Sequence, residues 1–195
     1  MKKTAQKIIR HIPTGFTLIE AMIAVTILTL SVAGPLFTAN RAIVAAETAR
    51  DRLTASYLAQ EGIEYVREMR DDAYLNAYRN NEPNVSTTAW ADFVSGSNPW
   101  SITQCIETAC TLDTTRDMGY GSSFSATSGN SPMYLLSNGV YSQQNLPGSV
   151  VQPYTRTIQA FTLSASDERI VSMVSWSYHG VPYLVTISDH LTPWQ

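Results

Sequence analysis

The N-terminal part of the chain carries a long apolar run. Residues 16–37 read FTLIEAMIAVTILTLSVAGPLF and contain one charged side chain, Glu20. Twenty-two residues of helix measure about 33 Å, which is enough to cross a hydrocarbon layer of about 30 Å. The run therefore predicts a helix that can span a membrane.

The helical pattern continues beyond the apolar run, through residues 38–79. Small and apolar side chains recur there on one helical face, at Leu58, Gly62, Tyr65, Val66, Met69, Ala73 and Ala77. Arg67 and Asp71 stand four residues apart on the outer side, at the spacing of an ion pair. The pattern predicts one nearly continuous helix from Phe16 to about Tyr78. Turn formers and a proline in residues 80–84 end it.

The C-terminal part changes to an alternating pattern. One side of the first strand carries apolar residues, with Ser172 as the exception: Ile170, Val174, Trp176 and Tyr178. After residues 179–182 the alternation resumes in Tyr183, Val185 and Ile187. This pattern predicts a hairpin, preceded by a strand from about Arg156 to Leu163 in which Ile158 and Ala160 alternate with Thr157 and Gln159. Residues 84–150 are rich in Ser, Thr, Gly, Asn and Pro, which predicts long surface loops and short strands. The predicted fold class is α+β, with a long N-terminal helix packed on the buried face of an antiparallel β-sheet head.

Charge predicts how the chain is oriented. Lys2, Lys3, Lys7 and Arg10 precede the apolar run, and Arg41 is the first basic residue after it. This asymmetry places the N-terminus in the cytoplasm and the bulk of the chain outside it. Beyond residue 15, nine arginines face 16 acidic residues, so the net charge is 9 − 16 = −7. Binding to a nucleic acid is not expected of such a chain.

Two ordinary explanations of the apolar run compete. Ser31, Val32 and Ala33 form a passable cleavage site for a secretory signal peptide, but such a peptide has a shorter apolar region and does not normally contain a carboxylate near its start. A plain signal anchor fits the length. It gives no reason for Glu20, because a charge at membrane depth costs a few kcal/mol unless it is paired or lies near the interface.

The stretch Gly15-Phe16-Thr17-Leu18-Ile19-Glu20 follows a short basic segment and opens the apolar run. In this it resembles the prepilin signal of type IV pilins and type II secretion pseudopilins. The resemblance implies that residues 1–15 are a leader, which a prepilin peptidase removes between Gly15 and Phe16 on the cytoplasmic side. It also implies N-methylation of Phe16, and an assembly role for Glu20, the fifth residue of the mature chain. Gly34 and Pro35 fall near the position where pilin helices commonly carry a proline.

The resemblance further implies a domain order and a set of partners. Residues 16–37 form the transmembrane and filament-core helix, residues 38–79 its amphipathic continuation, and residues 80–195 an extracytoplasmic head with a pilin-like fold. The mature subunit sits in the cytoplasmic membrane and then joins a pilus or pseudopilus, with the membrane platform of the assembly machine and other pilin subunits as partners. The large head and the run at residues 58–64, LAQEGIE, resemble minor pilins. The competing hypothesis is a membrane-anchored binding or adhesion domain that does not polymerise.

Other candidate chemistry in the chain is sparse. Cys105 and Cys110 are either two unrelated thiols or, outside the cytoplasm, a small disulfide loop, and a metal site is not expected of two sulfurs without a nearby histidine. Asp113 and Asp117 lack the spacing of a calcium loop and are expected to be solvated. His179 is expected in a turn and His190 near a strand end. Because no catalytic or phosphate-binding motif is present, we expect no enzyme activity and no cofactor.

Overall fold

The structure is a computed structural model that describes residues 15–115, 124–126 and 131–193. Its first element is the helix α1, Leu18–Arg79, which runs through Pro35. The chain divides into two units between Glu47 and Thr48, so α1 contributes to both. The predicted single long helix is confirmed, and its end coincides with the turn formers that follow Arg79.

The second unit combines the last part of α1 with a β-sheet. After α1 come the helix α2, Val85–Ser95, and a short 3-10 turn, Thr103–Cys105. The strands in the described residues are β1, Cys110–Leu112; β2, Phe124–Ala126; β3, Pro132–Leu135; β4, Tyr141–Ser142; β5, Val150–Ser164; β6, Asp167–Tyr178; and β7, Val181–Leu191. This arrangement confirms the predicted α+β class.

The sheet is antiparallel and is organised around β5. One side of β5 pairs with β6, which pairs in turn with β7. The other side is shared by β3, which pairs with β4, and by β1, which pairs with β2. The predicted hairpin is the β6–β7 pair, and its two-residue loop holds His179 and Gly180 at φ values of 49° and 79°. Two positive φ values are what the tight turn of a twisted hairpin requires.

The apolar stripe of α1 forms the core with the inner face of the sheet. All seven predicted stripe positions, from Leu58 to Ala77, are buried. Near the start of the second unit, Leu58 packs in a cluster with Tyr154, Val174 and Trp176. Gly62 allows the helix to approach closely, because a Cβ atom there would lie 2.9 Å from both Ile158 Cδ1 and Ser172 Oγ. The prediction that the sheet covers this stripe is confirmed.

A buried arginine links the helix to two strands. Arg156, on β5, is completely buried. Its guanidinium donates three hydrogen bonds of 3.0 Å each, to the backbone oxygens of Leu58 and Leu112 and to Oε2 of Glu61. Glu61 also accepts a hydrogen bond from the hydroxyl of Thr114 at 2.7 Å. A charge out of contact with water requires such partners, so Arg156 connects α1, β1 and β5 through polar contacts inside an apolar core.

Several expectations need correction. Residues 84–150 hold the helix α2, whose Val85, Ala89 and Phe93 turn toward the core. The strand expected from about Arg156 begins earlier, at Val150. The sequence did not predict this 11-residue helix, because it is rich in Ser and Thr, whose helix propensity is low.

The surroundings of two charged side chains, Arg67 and Asp113, also differ from those expected. Arg67 bonds Glu64 at 2.7 Å and Asp189 of β7 at 2.6 Å instead of pairing with Asp71. The approach of β7 explains this choice, since it offers a carboxylate that no helix periodicity can reveal. Asp113 is buried and not solvated, and its Oδ1 accepts hydrogen bonds from Thr115 and Ser142. Asp117 lies outside the described residues.

Candidate functional site

The candidate site is the N-terminal end of α1, where the described chain begins. Gly15 and Phe16 precede the helix, and Phe16 is 84% exposed. Residues 1–14 of the expected leader lie outside the described residues. The bond between Gly15 and Phe16 therefore lies in non-helical, exposed chain, which is the form in which a peptidase can bind a backbone.

Glu20 lies in the first turn of α1. Its backbone N–H donates to the hydroxyl of Thr17 at 3.3 Å, and the N–H of Ala21 donates to the Thr17 carbonyl at 3.1 Å. The order Thr-x-x-Glu is that of a helix capping box, and a negative charge is favourable near a helix N-terminus. Sequence reasoning missed this local role, although the spacing of Thr17 and Glu20 was a signal for it.

The Glu20 carboxylate has no opposite charge near it within the described residues. Glu20 takes part in none of the five ion pairs that join Arg67, Arg70, Arg156 and His190 to carboxylates of the second unit. Arg41, the first basic residue after Glu20, is 21 residues further along the helix, or about 31 Å. No basic side chain of the described residues therefore reaches this carboxylate.

The other polar side chains of the apolar segment are already satisfied. The hydroxyls of Thr26, Thr29 and Ser31 donate to backbone oxygens three residues earlier, at 2.8–2.9 Å. Such back-bonding leaves none of these three hydroxyls as a free donor, which suits a lipid environment. The segment is long and apolar enough to cross a membrane, and none of it is buried inside the protein. Its exposed apolar surface and its single carboxylate are the two features that need a partner.

In the second unit, Cys105 and Cys110 are joined by a disulfide with their Cα atoms 5.2 Å apart. Both residues are completely buried. The bridge ties the end of the 3-10 turn to the start of β1, where Cys110 pairs with Ile158. Its environment is that of the core, so the bridge shapes the fold locally.

The two described histidines lie at opposite ends of the β6–β7 hairpin. His179 lies in the β6–β7 turn, and His190 contacts Asp167 at 3.0 Å near the end of β7. No group of three or more metal-binding side chains occurs in the part of the chain that the structure describes.

Comparisons with protein-family models, with curated proteins and with solved structures found no match for this chain. A functional assignment therefore depends on the residues themselves.

Proposed function

We propose that this chain is a prepilin, whose mature form is a structural subunit, a minor pilin or pseudopilin, of a type IV pilus or a type II secretion-like filament. It enters the cytoplasmic membrane through residues 16–37, with its head outside the cytoplasm. A prepilin peptidase removes residues 1–15, Phe16 is N-methylated, and the helix then packs with those of other subunits. The proposal includes no enzymatic activity and no cofactor.

One observation carries the proposal: a lone carboxylate, Glu20, stands at the start of an apolar helix whose hydroxyls are bonded internally. An unpaired charge in or near hydrocarbon is costly, so it calls for a positive partner. Cleavage before Phe16 creates an amine within four residues of Glu20. In a neighbouring subunit, the same amine can bind Glu20 and so set the axial stagger of the packed helices. The Gly15-Phe16 junction supplies this amine, and a plain membrane anchor has no use for it.

The competing function is a membrane-anchored binding domain that does not polymerise. The hydrogen bond from the Glu20 N–H to the Thr17 hydroxyl is one half of a capping box. In the other half, a Glu or Gln side chain accepts from the backbone N–H of the cap residue, and this would give the Glu20 side chain a purpose without any partner molecule. The two functions differ in what they require of the side chain. Capping needs a polar group that glutamine also provides, whereas docking to an amine needs the negative charge.

The test compares Glu20→Gln and Glu20→Ala in cells with a working assembly machine. Docking predicts that both variants are expressed, inserted and cleaved near wild-type levels, and that both lose incorporation into filaments or complexes with other pilins. Thr17→Ala is the control for capping, and we expect it to assemble. Co-purification of Glu20→Gln with its pilin partners at wild-type yield would show that the charge of Glu20 is not needed for assembly, which would contradict docking.

A further inference from the structure

The sheet of the second unit has one end with exposed apolar side chains. We call this end the basal surface and define it by Val140, Val150, Val151 and Val181 together with Tyr57 of α1. Each of these side chains is more than two-fifths exposed. A cluster of exposed apolar side chains marks a surface that contacts another molecule or a membrane.

Strand register places these residues together. Val150 starts β5 opposite Leu135, next to the turn that carries Val140. Val181 starts β7 opposite Tyr178. Because Thr155 pairs with Ser175, the β6–β7 turn falls beside the first residues of β5. Three strand ends and two turns therefore form one edge of the head.

The basal surface lies at the end of the head where α1 enters the second unit. The hydroxyl of Tyr154, four residues into β5, donates to Asp51 at 3.2 Å, and Arg52 lies over the ring of Tyr183. The opposite end is marked by later helix residues, since Arg67 bonds Asp189 near the end of β7. The helix α1 therefore enters the second unit at the end that carries the basal surface.

The strands that form this end carry almost no charge. Residues 131–155 and 170–188 contain no Asp, Glu, Lys or Arg, and His179 is their single histidine. Aromatic residues with a polar tip, Tyr141, Tyr178 and Tyr183, occur among the aliphatic ones. Besides Asp51 and Arg52 of α1, this end of the head thus carries aliphatic and tyrosine side chains. Such side chains are typical of surfaces at a membrane interface.

Chain length keeps this surface close to lipid. Ten residues, 38–47, separate Phe37 from Thr48, which is about 15 Å of helix. The interfacial layer adds about 5–8 Å to each side of the hydrocarbon. A connection of ten residues therefore keeps the start of the second unit within reach of the lipid headgroups.

We propose that, before assembly, the basal surface rests on the outer face of the bilayer, with the valine side chains among the lipid headgroups. This inference rests on the proposed membrane anchoring by residues 16–37. Resting on the bilayer covers apolar surface that is otherwise exposed to water in the unassembled subunit, and it holds the head at a fixed height.

The experiment uses the full chain with its Cys105–Cys110 bridge formed, reconstituted in vesicles of phosphatidylcholine and phosphatidylglycerol. An environment-sensitive fluorophore is attached to Val151→Cys and, as a matched control, to Leu163→Cys. Leu163 is on the same strand with a similar exposure, 52% against 60%, but lies toward its other end. Val181→Cys provides a second basal position in case Val151→Cys does not fold.

We expect the label at Val151, but not at Leu163, to shift to shorter wavelength and to be quenched by nitroxide-headgroup lipid. Equal solvent exposure and equal quenching at both positions, in chains that float with the vesicles, would overturn the basal contact and leave the anchoring intact. Protection at Val151 without quenching, rising with the protein-to-lipid ratio, would show that a second copy covers the surface and would also overturn it. Failure of the chain to float with vesicles would overturn the anchoring itself.

Discussion

Replacing Arg156 with methionine tests whether polar contacts inside the head hold α1 on the sheet. Methionine fills much of the same volume but donates no hydrogen bond. The change removes the three 3.0 Å hydrogen bonds to Leu58, Leu112 and Glu61. It also removes a buried charge whose pKa is lowered by burial and raised by the nearby Glu61 and Asp113 carboxylates.

The size of the effect follows from these opposing contributions. Hydrogen bonds from a charged group contribute about 1.5–3 kcal/mol each, but relief of the desolvation cost of Arg156 offsets part of that sum. We expect a net loss of about 2–4 kcal/mol, large against a typical total of about 5–15 kcal/mol. Glu61→Gln should cost less, about 1 kcal/mol, because the Glu61 side chain is 39% exposed and an amide oxygen can still accept from Arg156.

The assay is urea unfolding of the detergent-solubilised full chain, followed by tryptophan fluorescence. With a slope of about 2 kcal/mol per M, Arg156→Met should lower the midpoint by about 1–2 M. Arg79→Met, at the exposed end of α1, is the control and should shift it little. Arg156→Met combined with Glu61→Gln should cost less than the sum of the two, because they share one interaction. A wild-type midpoint for Arg156→Met, or strict additivity, would refute the role given to this arginine.

Two further predictions concern the head. Glu168 is 1% exposed and its pKa is raised by burial, an effect that a Thr162 hydrogen bond opposes and the Asp167 and Glu107 charges increase. Ionisation of Glu168 therefore destabilises the fold above the raised pKa but not below the ordinary value of 4.5. Glu168→Gln should raise the urea midpoint at about pH 7, and this gain should disappear toward about pH 4. An unchanged midpoint at about pH 7 would contradict this prediction. Thiol labelling of unreduced protein should fail at both Cys105 and Cys110, whereas two reactive thiols would exclude the bridge.

The parts of the fold that sequence reasoning predicted are those with long, regular patterns. The stripe from Leu58 to Ala77 covers more than five helical turns, and the β6–β7 hairpin shows alternation on both sides of a recognisable turn. In both cases the period alone says which side chains are buried. The helix α2 has too few residues and too many hydroxyls for its period to stand out.

Buried polar groups were beyond sequence reasoning for a different reason. Alternation in β5 places position 156 on the inner face, but an arginine there makes sense only with Glu61 opposite, 95 residues earlier in the chain. Asp113 likewise finds Ser142 across the fold. At the candidate site, the motif around Gly15 and Glu20 was visible in the sequence. The internal hydrogen bonds of Thr26, Thr29 and Ser31 in the same helix could be found only from side-chain positions.

The central claim is that the chain is a prepilin, and the most direct test is the N-terminus of the membrane-extracted protein. Intact mass and N-terminal sequencing should show a mature chain that starts at Phe16 with a methylated amine. Gly15→Leu should leave an uncleaved but inserted precursor, since the peptidase must approach the backbone closely at that position. A chain that starts at Gly34, after the small-residue site, or one that keeps residues 1–15 in cells with an active prepilin peptidase, would contradict the account.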